Sequence, residues 1–165
     1  MKNFILILSF LFFGCGSVSK NILSNSKTII KNEYMPLSQF KGDTIAYIKK
    51  NFIENKDKYL GEKMKVLLNE LELPILKYNV GITENLKEVY CISFIFSTDS
   101  EIDKKINSGT IPSIINVFID QPVEISKPLS LLKESKQQWK EKEILFWGSQ
   151  KIKDIGIIDN SIPKL

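Results

Sequence analysis

Leu76-Lys77-Tyr78-Asn79-Val80-Gly81-Ile82, followed shortly by Val89-Tyr90-Cys91-Ile92-Ser93-Phe94-Ile95-Phe96, decides the fold. In the first run Leu76, Tyr78, Val80 and Ile82 recur at every second position. That is the period of a half-buried strand. The second run is apolar on both faces, with Tyr90, Ile92, Phe94 and Phe96 on one and Val89, Cys91 and Ile95 on the other. A strand of that kind belongs in the middle of a sheet. Thr83 to Asn85 stands between the runs and reads as a turn.

Upstream the period is helical. Asp43 is a short acid placed to cap a helix carrying Ile45, Ile48 and Phe52 on one face. Gly61 suits the left-handed turn that ends it. Met64, Leu67, Leu68 and Leu71 form the stripe of a second helix, which Pro74 stops. Downstream, Ser100 with Asp103 opens a short helix ending near Gly109. Ile114 to Ile119 reads as a third strand, interrupted by Gln121-Pro122 because proline cannot donate to a ladder. Ser126 and Pro128 start a further helix that runs to Gly148 with Leu129, Leu132 and Trp139 near one face. Lys151 to Ile158 is a last strand. The expectation is an α+β domain: two N-terminal helices and one later helix packed on a single, mostly antiparallel sheet of about four strands. Two helices followed by antiparallel strands, over residues 43 to 98, is similar in architecture to the small outer-membrane-assembly lipoproteins and to the β-lactamase-inhibitor-protein fold. That likeness rests on no shared motif and carries no function.

The N-terminus has a different character. Met1-Lys2-Asn3 is followed by Phe4 to Phe13, in which only Ser9 is polar, and then by Gly14-Cys15-Gly16. Ten apolar residues are too few for a membrane-spanning helix, which needs roughly 20. A charged start, a short apolar run and a small residue before the cut are the parts of a secretory signal. With Cys15 directly after Gly14, the segment Leu11-Phe12-Phe13-Gly14-Cys15 resembles a bacterial lipoprotein signal peptide. The resemblance implies removal of residues 1–14 and acylation of Cys15. It also implies attachment to the extracytoplasmic membrane surface, which in a two-membrane cell is the periplasmic face of the outer membrane. Each buried methylene contributes about 0.8 kcal/mol, so such an anchor is stable. Residues 15–42, rich in Ser, Asn and Lys, read as a lipidated tether, with Tyr34-Met35-Pro36-Leu37 poised to dock on the domain. Residues 43–165 are left as one globular domain.

Composition narrows the chemistry. The chain has no histidine and 23 basic residues, all of them lysine. Histidine-activated serine or cysteine nucleophiles and histidine-ligated metal sites are therefore ruled out. Absent arginine removes bidentate phosphate and guanine recognition. The formal charge is +4 with both signs interspersed, which does not suit a nucleic-acid binder. No cofactor motif is present. Cys91 would be the only thiol left beside an acylated Cys15, so no internal disulfide is expected.

Several constellations have ordinary explanations. Ser-x-x-Lys occurs at Ser17/Lys20, Ser24/Lys27, Ser38/Lys41, Ser130/Lys133 and Ser161/Lys164, as it must in so lysine-rich a chain. Its companion motifs are absent. Asp99, Glu101 and Asp103 alternate as in a calcium loop but lack its glycine and its final glutamate, and suit a helix N-terminus. Asn116 and Asp154 interrupt apolar runs and are candidates to line a pocket. Trp139, Phe146 and Trp147 are the densest aromatic cluster and the candidate partner-binding residues, core filling being the competing role. The leading expectation is a non-enzymatic interaction module of the cell envelope. The alternatives are an envelope hydrolase built on two carboxylates, which a cleft with two acids would favour, and an inhibitor or immunity-type protein.

Overall fold

A computed structural model describes residues 33–110 and 112–157. Four strands, β1 (Lys77–Ile82), β2 (Glu88–Ile95), β3 (Ile114–Glu124) and β4 (Ile152–Ile157), form one sheet in the order β1-β2-β3-β4. Every neighbouring pair is antiparallel. The expected α+β class and four-stranded sheet are therefore present.

Residues directly opposite in such a ladder share a face. One face carries Tyr78, Ile92, Phe94, Ile115, Val117 and Ile155, all buried. Burying each large apolar side chain contributes about 1.5–3 kcal/mol. The partners on that face come from the helices: Ile48, Phe52, Met64, Leu67 and Trp147 join the same core. The other face carries Asn79, Gly81, Cys91, Ser93, Asn116, Phe118, Asp154 and Gly156.

Among the described residues there are five α-helices: α1 (Thr44–Ile48), α2 (Met64–Glu70), α3 (Asp99–Asn107), α4 (Ser126–Ser135) and α5 (Glu141–Gly148). Asp43 caps α1 as expected, its carboxylate accepting from the Ala46 N–H at 2.9 Å. The first helix is nonetheless shorter than its apolar period suggests. It passes into a π-helical turn over Lys49–Ile53 and then a 3₁₀ turn over Lys56–Lys58. The physical reason lies at Asn51, which is fully buried. Its amide accepts from the Met35 N–H and donates to the Met35 carbonyl, both at 2.8 Å. Part of the expected tether is thereby held to the domain. Tyr34, Leu37 and Phe40 pack against the core, so the folded part starts before Asp43.

Three further expectations are corrected. The short helix is capped at Thr98, not Ser100, by a reciprocal Thr98–Glu101 box. The helix expected from Ser126 to Gly148 is two. Lys136 and Gln137 take left-handed backbone conformations, and the loop carries Trp139 onto Tyr78 and Phe94, with ring centroids 5.6 and 5.0 Å away. Proline does not end β3 either. Pro122 sits where β3 bulges and no ladder donor is required, so the strand continues to Glu124.

Candidate functional site

The sheet is irregular at one level, and the irregularities line up. Between β1 and β2, Gly81 opposes Cys91 and Ile82 opposes Val89, which leaves Tyr90 as an extra residue. Between β2 and β3, Cys91 opposes Phe118 and Val89 opposes Val123, so residues 119–122 stand against Tyr90 alone. Between β3 and β4, Phe118 opposes Asp154 and Ile119 opposes Ile152, which leaves Lys153 extra. Bulges re-aim side chains and are frequent beside functional sites. Here they bring Tyr90, Asp120, Pro122 and Lys153 together with Phe118 and Asp154 around a hollow of about 240 Å3.

Two rings form its floor. Tyr90 and Phe118 are close to parallel, 26° between planes with centroids 6.1 Å apart. Glycine makes room for one of them. A Cβ on Gly81 would crowd the Tyr90 ring at 3.3 Å, whereas one on Gly156 would meet Phe118 at an ordinary contact distance of 3.6 Å. Tyr90 thus leans towards β1 and Phe118 towards β4. At 39% exposure Tyr90 is a large aromatic on an inner strand, at the bulged end where β1 stops. Cys91, beside it, is buried, and burial pushes its thiol up to about 12. That is the inert cysteine expected of the sequence.

The polar groups around the floor are partly engaged. Lys56 reaches Asp154 at 2.9 Å and holds its carboxyl below the usual carboxylate range, burial opposing and the Ile155 N–H assisting. Ser93 donates to Asn116 Oδ1 at 2.7 Å. Asp120 has no side-chain partner among the described residues. Among those residues no cluster of acids and thiols could hold a metal ion, and no helix is long and apolar enough to cross a membrane.

The residues singled out in the sequence fall in different places. Asn116 and Asp154 are on the floor's face, and Asp154 lines the hollow. Trp147 is fully buried and offers no surface. Phe146 packs edge-on against it at 4.9 Å and lines a groove between α4 and α5 with Leu131 and Leu145. Trp139 is partly buried on the helix-covered face. The cluster is therefore divided between core and rim and does not form one patch. Asp99 and Glu101 lie in the first turn of α3, where Asp99 pairs with Lys77 at 2.6 Å. Ser130 donates to Glu134 and makes no bond to Lys133. Cys15 lies outside the described residues.

The alternation in the sequence placed Tyr90 on one strand face with Ile92, Phe94 and Phe96, and Cys91 on the other. The bulge instead puts it on the face of Cys91 and Gly81, away from buried Ile92 and Phe94. Gly81 and Gly156 were the available signal, since glycine inside a strand marks a bulge or a close approach. No known protein family, curated protein or solved structure matches the chain.

Proposed function

We propose that this protein is a lipid-anchored module of the bacterial cell envelope, acylated at Cys15, that binds an envelope component without catalysing a reaction on it. In a two-membrane cell its place is the periplasmic face of the outer membrane. The observation that carries the binding role is the aromatic pair Tyr90 and Phe118 on the sheet face opposite the helix-packed core, with the Tyr90 ring close over Gly81. Tyr90 and Phe118 stand side by side on the two inner strands and line one hollow with Asp120 and Lys153, so a single ligand can touch rings and charges together.

The hydrolase alternative has one observation in its favour: Asp120 and Asp154 line the same hollow. A general acid needs a raised pKa. Lys56 holds Asp154 low, which is the wrong direction for that role. Binding without turnover fits the pair better.

Two measurements test the reading. Cys15→Ser should move the protein from the membrane to the soluble fraction, and continued membrane retention would contradict the anchor. A photo-crosslinking residue at position 90, used in the living cell, should capture one reproducible envelope component. Cleavage of peptidoglycan or another glycan by the purified protein would overturn the non-enzymatic role.

A further inference from the structure

The hollow at the aligned bulges has a composition that selects a class of ligand. Its floor is aromatic and its rim carries both signs of charge: Asp120 and Asp154 against Lys153, with Lys56 already on Asp154. The charges cancel, so the rim attracts neither a cation nor an anion over distance. What remains is a hydrophobic, electron-rich floor ringed by hydrogen-bonding groups. At about 240 Å3 the hollow is smaller than the roughly 300–1,000 Å3 of sites for drug-sized ligands. It admits one ring rather than an extended chain segment. It also opens on the sheet's face and not at an edge, so strand addition by a peptide is excluded there.

We propose that the hollow binds one pyranose ring of a neutral glycan. The inference rests on reading this face as the binding surface. A pyranose has an apolar face of C–H groups, slightly positive at hydrogen, and an equator of hydroxyls. The C–H face lies on the Tyr90–Phe118 floor, whose ring faces are negative. The hydroxyls donate to the free Asp120 carboxylate and accept from Lys153. Asp154, held by Lys56, is a fixed acceptor at the β4 side. The three bulges supply the side chains this needs: Tyr90 for the floor, Asp120 and Lys153 for the rim. A regular ladder would leave no extra residue at position 90 or 153.

The test is a titration of the full-length protein with chitotriose and maltotriose, and with tetramethylammonium as a cationic competitor, by calorimetry and amide NMR. One of the two trisaccharides should bind with a Kd of about 1 mM, the range expected of a single small subsite. Shifts should centre on residues 90, 118, 120 and 153. Tyr90→Leu keeps apolar bulk but loses the ring face and should weaken binding about tenfold. Asp120→Asn, on an exposed side chain, should weaken it without moving the melting temperature, which separates binding from folding. No saccharide binding at about 20 mM, well above that Kd, overturns the proposal. So does binding of tetramethylammonium in place of the sugars. If the sugars fail while crosslinking from position 90 still captures an envelope protein, the glycan inference falls and the open-face reading stands. If both fail, both fall.

Discussion

Glu143 is the side chain whose surroundings fit it least. It is 1% exposed, and its Oε2 has no hydrogen-bond partner among the described residues. A buried carboxylate without a full set of donors loses its hydration and is not compensated. Its position in the first turn of α5, where N–H groups point outward, returns part of that cost. Glu143→Gln keeps the shape and removes the charge. It should stabilise the protein by about 1 kcal/mol at neutral pH, a rise of about 4 °C in melting temperature. Thermal unfolding followed by circular dichroism measures it directly. A fall of similar size would show that the negative charge at the α5 N-terminus outweighs its desolvation.

At the scale of elements, the loop between α4 and α5 holds strain that a single substitution relieves. Lys136 ends α4 with φ of 53°, a left-handed conformation that costs a residue with a Cβ about 1 kcal/mol or more. Its N–H bonds the Leu132 and Lys133 carbonyls, so the geometry is required. Lys136→Gly should stabilise by roughly 1 kcal/mol, and an urea midpoint shifted upward at constant slope would register it. A downward shift would mean that the added freedom of the unfolded chain dominates. This loop also shows what the sequence could and could not disclose. The strands were legible because alternation in Leu76–Ile82 and the two-sided apolar run at Val89–Phe96 depend on local period alone. Caps at Asp43 and the turn at Gly61 were legible for the same reason. The break at Lys136 carries no glycine or proline to mark it. It exists because Trp139 must reach Tyr78 and Phe94, residues far away in the chain. The π-helical turn is alike: Asn51 is drawn inward by the Met35 backbone, and that partner is invisible to helical periodicity. The aromatic floor lies between these cases. Its glycines were visible, but the inserted residue at 90 became clear only from three neighbouring registers.

The whole molecule should have a flat stability profile around neutral pH, and the reason is compositional. With no histidine, no side chain ordinarily titrates between about pH 5 and 8. The resolved shifts lie on either side of that window. At Glu70, burial pushes the carboxyl up, but the Lys58 and Tyr59 hydrogen bonds more than offset it and the net shift is downward. Asp154 is lowered by Lys56, Glu101 by the Thr98 backbone and hydroxyl, Glu134 by Lys142 and Ser130. A carboxylate held low when folded adds stability above its unfolded pKa, near 4, and that stability is lost as pH falls through the folded value. On the alkaline side, burial raises Tyr34, Tyr47, Tyr59 and Tyr78, and the bond from Tyr59 to Glu70 at 2.7 Å raises Tyr59 further. A phenol held high when folded contributes in full below its unfolded pKa, near 10, and loses that contribution as pH rises through the folded value. Urea unfolding from pH 3 to 11 should therefore give a plateau from about 5 to 9 with a fall at each end. One net proton of difference between the states corresponds to about 1.4 kcal/mol per pH unit. Glu70→Gln should flatten the acid limb because it removes a group that the fold holds ionised. Tyr59→Phe should act on both limbs: it deletes one phenol from the alkaline side and withdraws a donor from Glu70 on the acid side. A marked slope between pH 6 and 8 in the parent protein would contradict the profile, since no side chain with a resolved shift is placed to produce it.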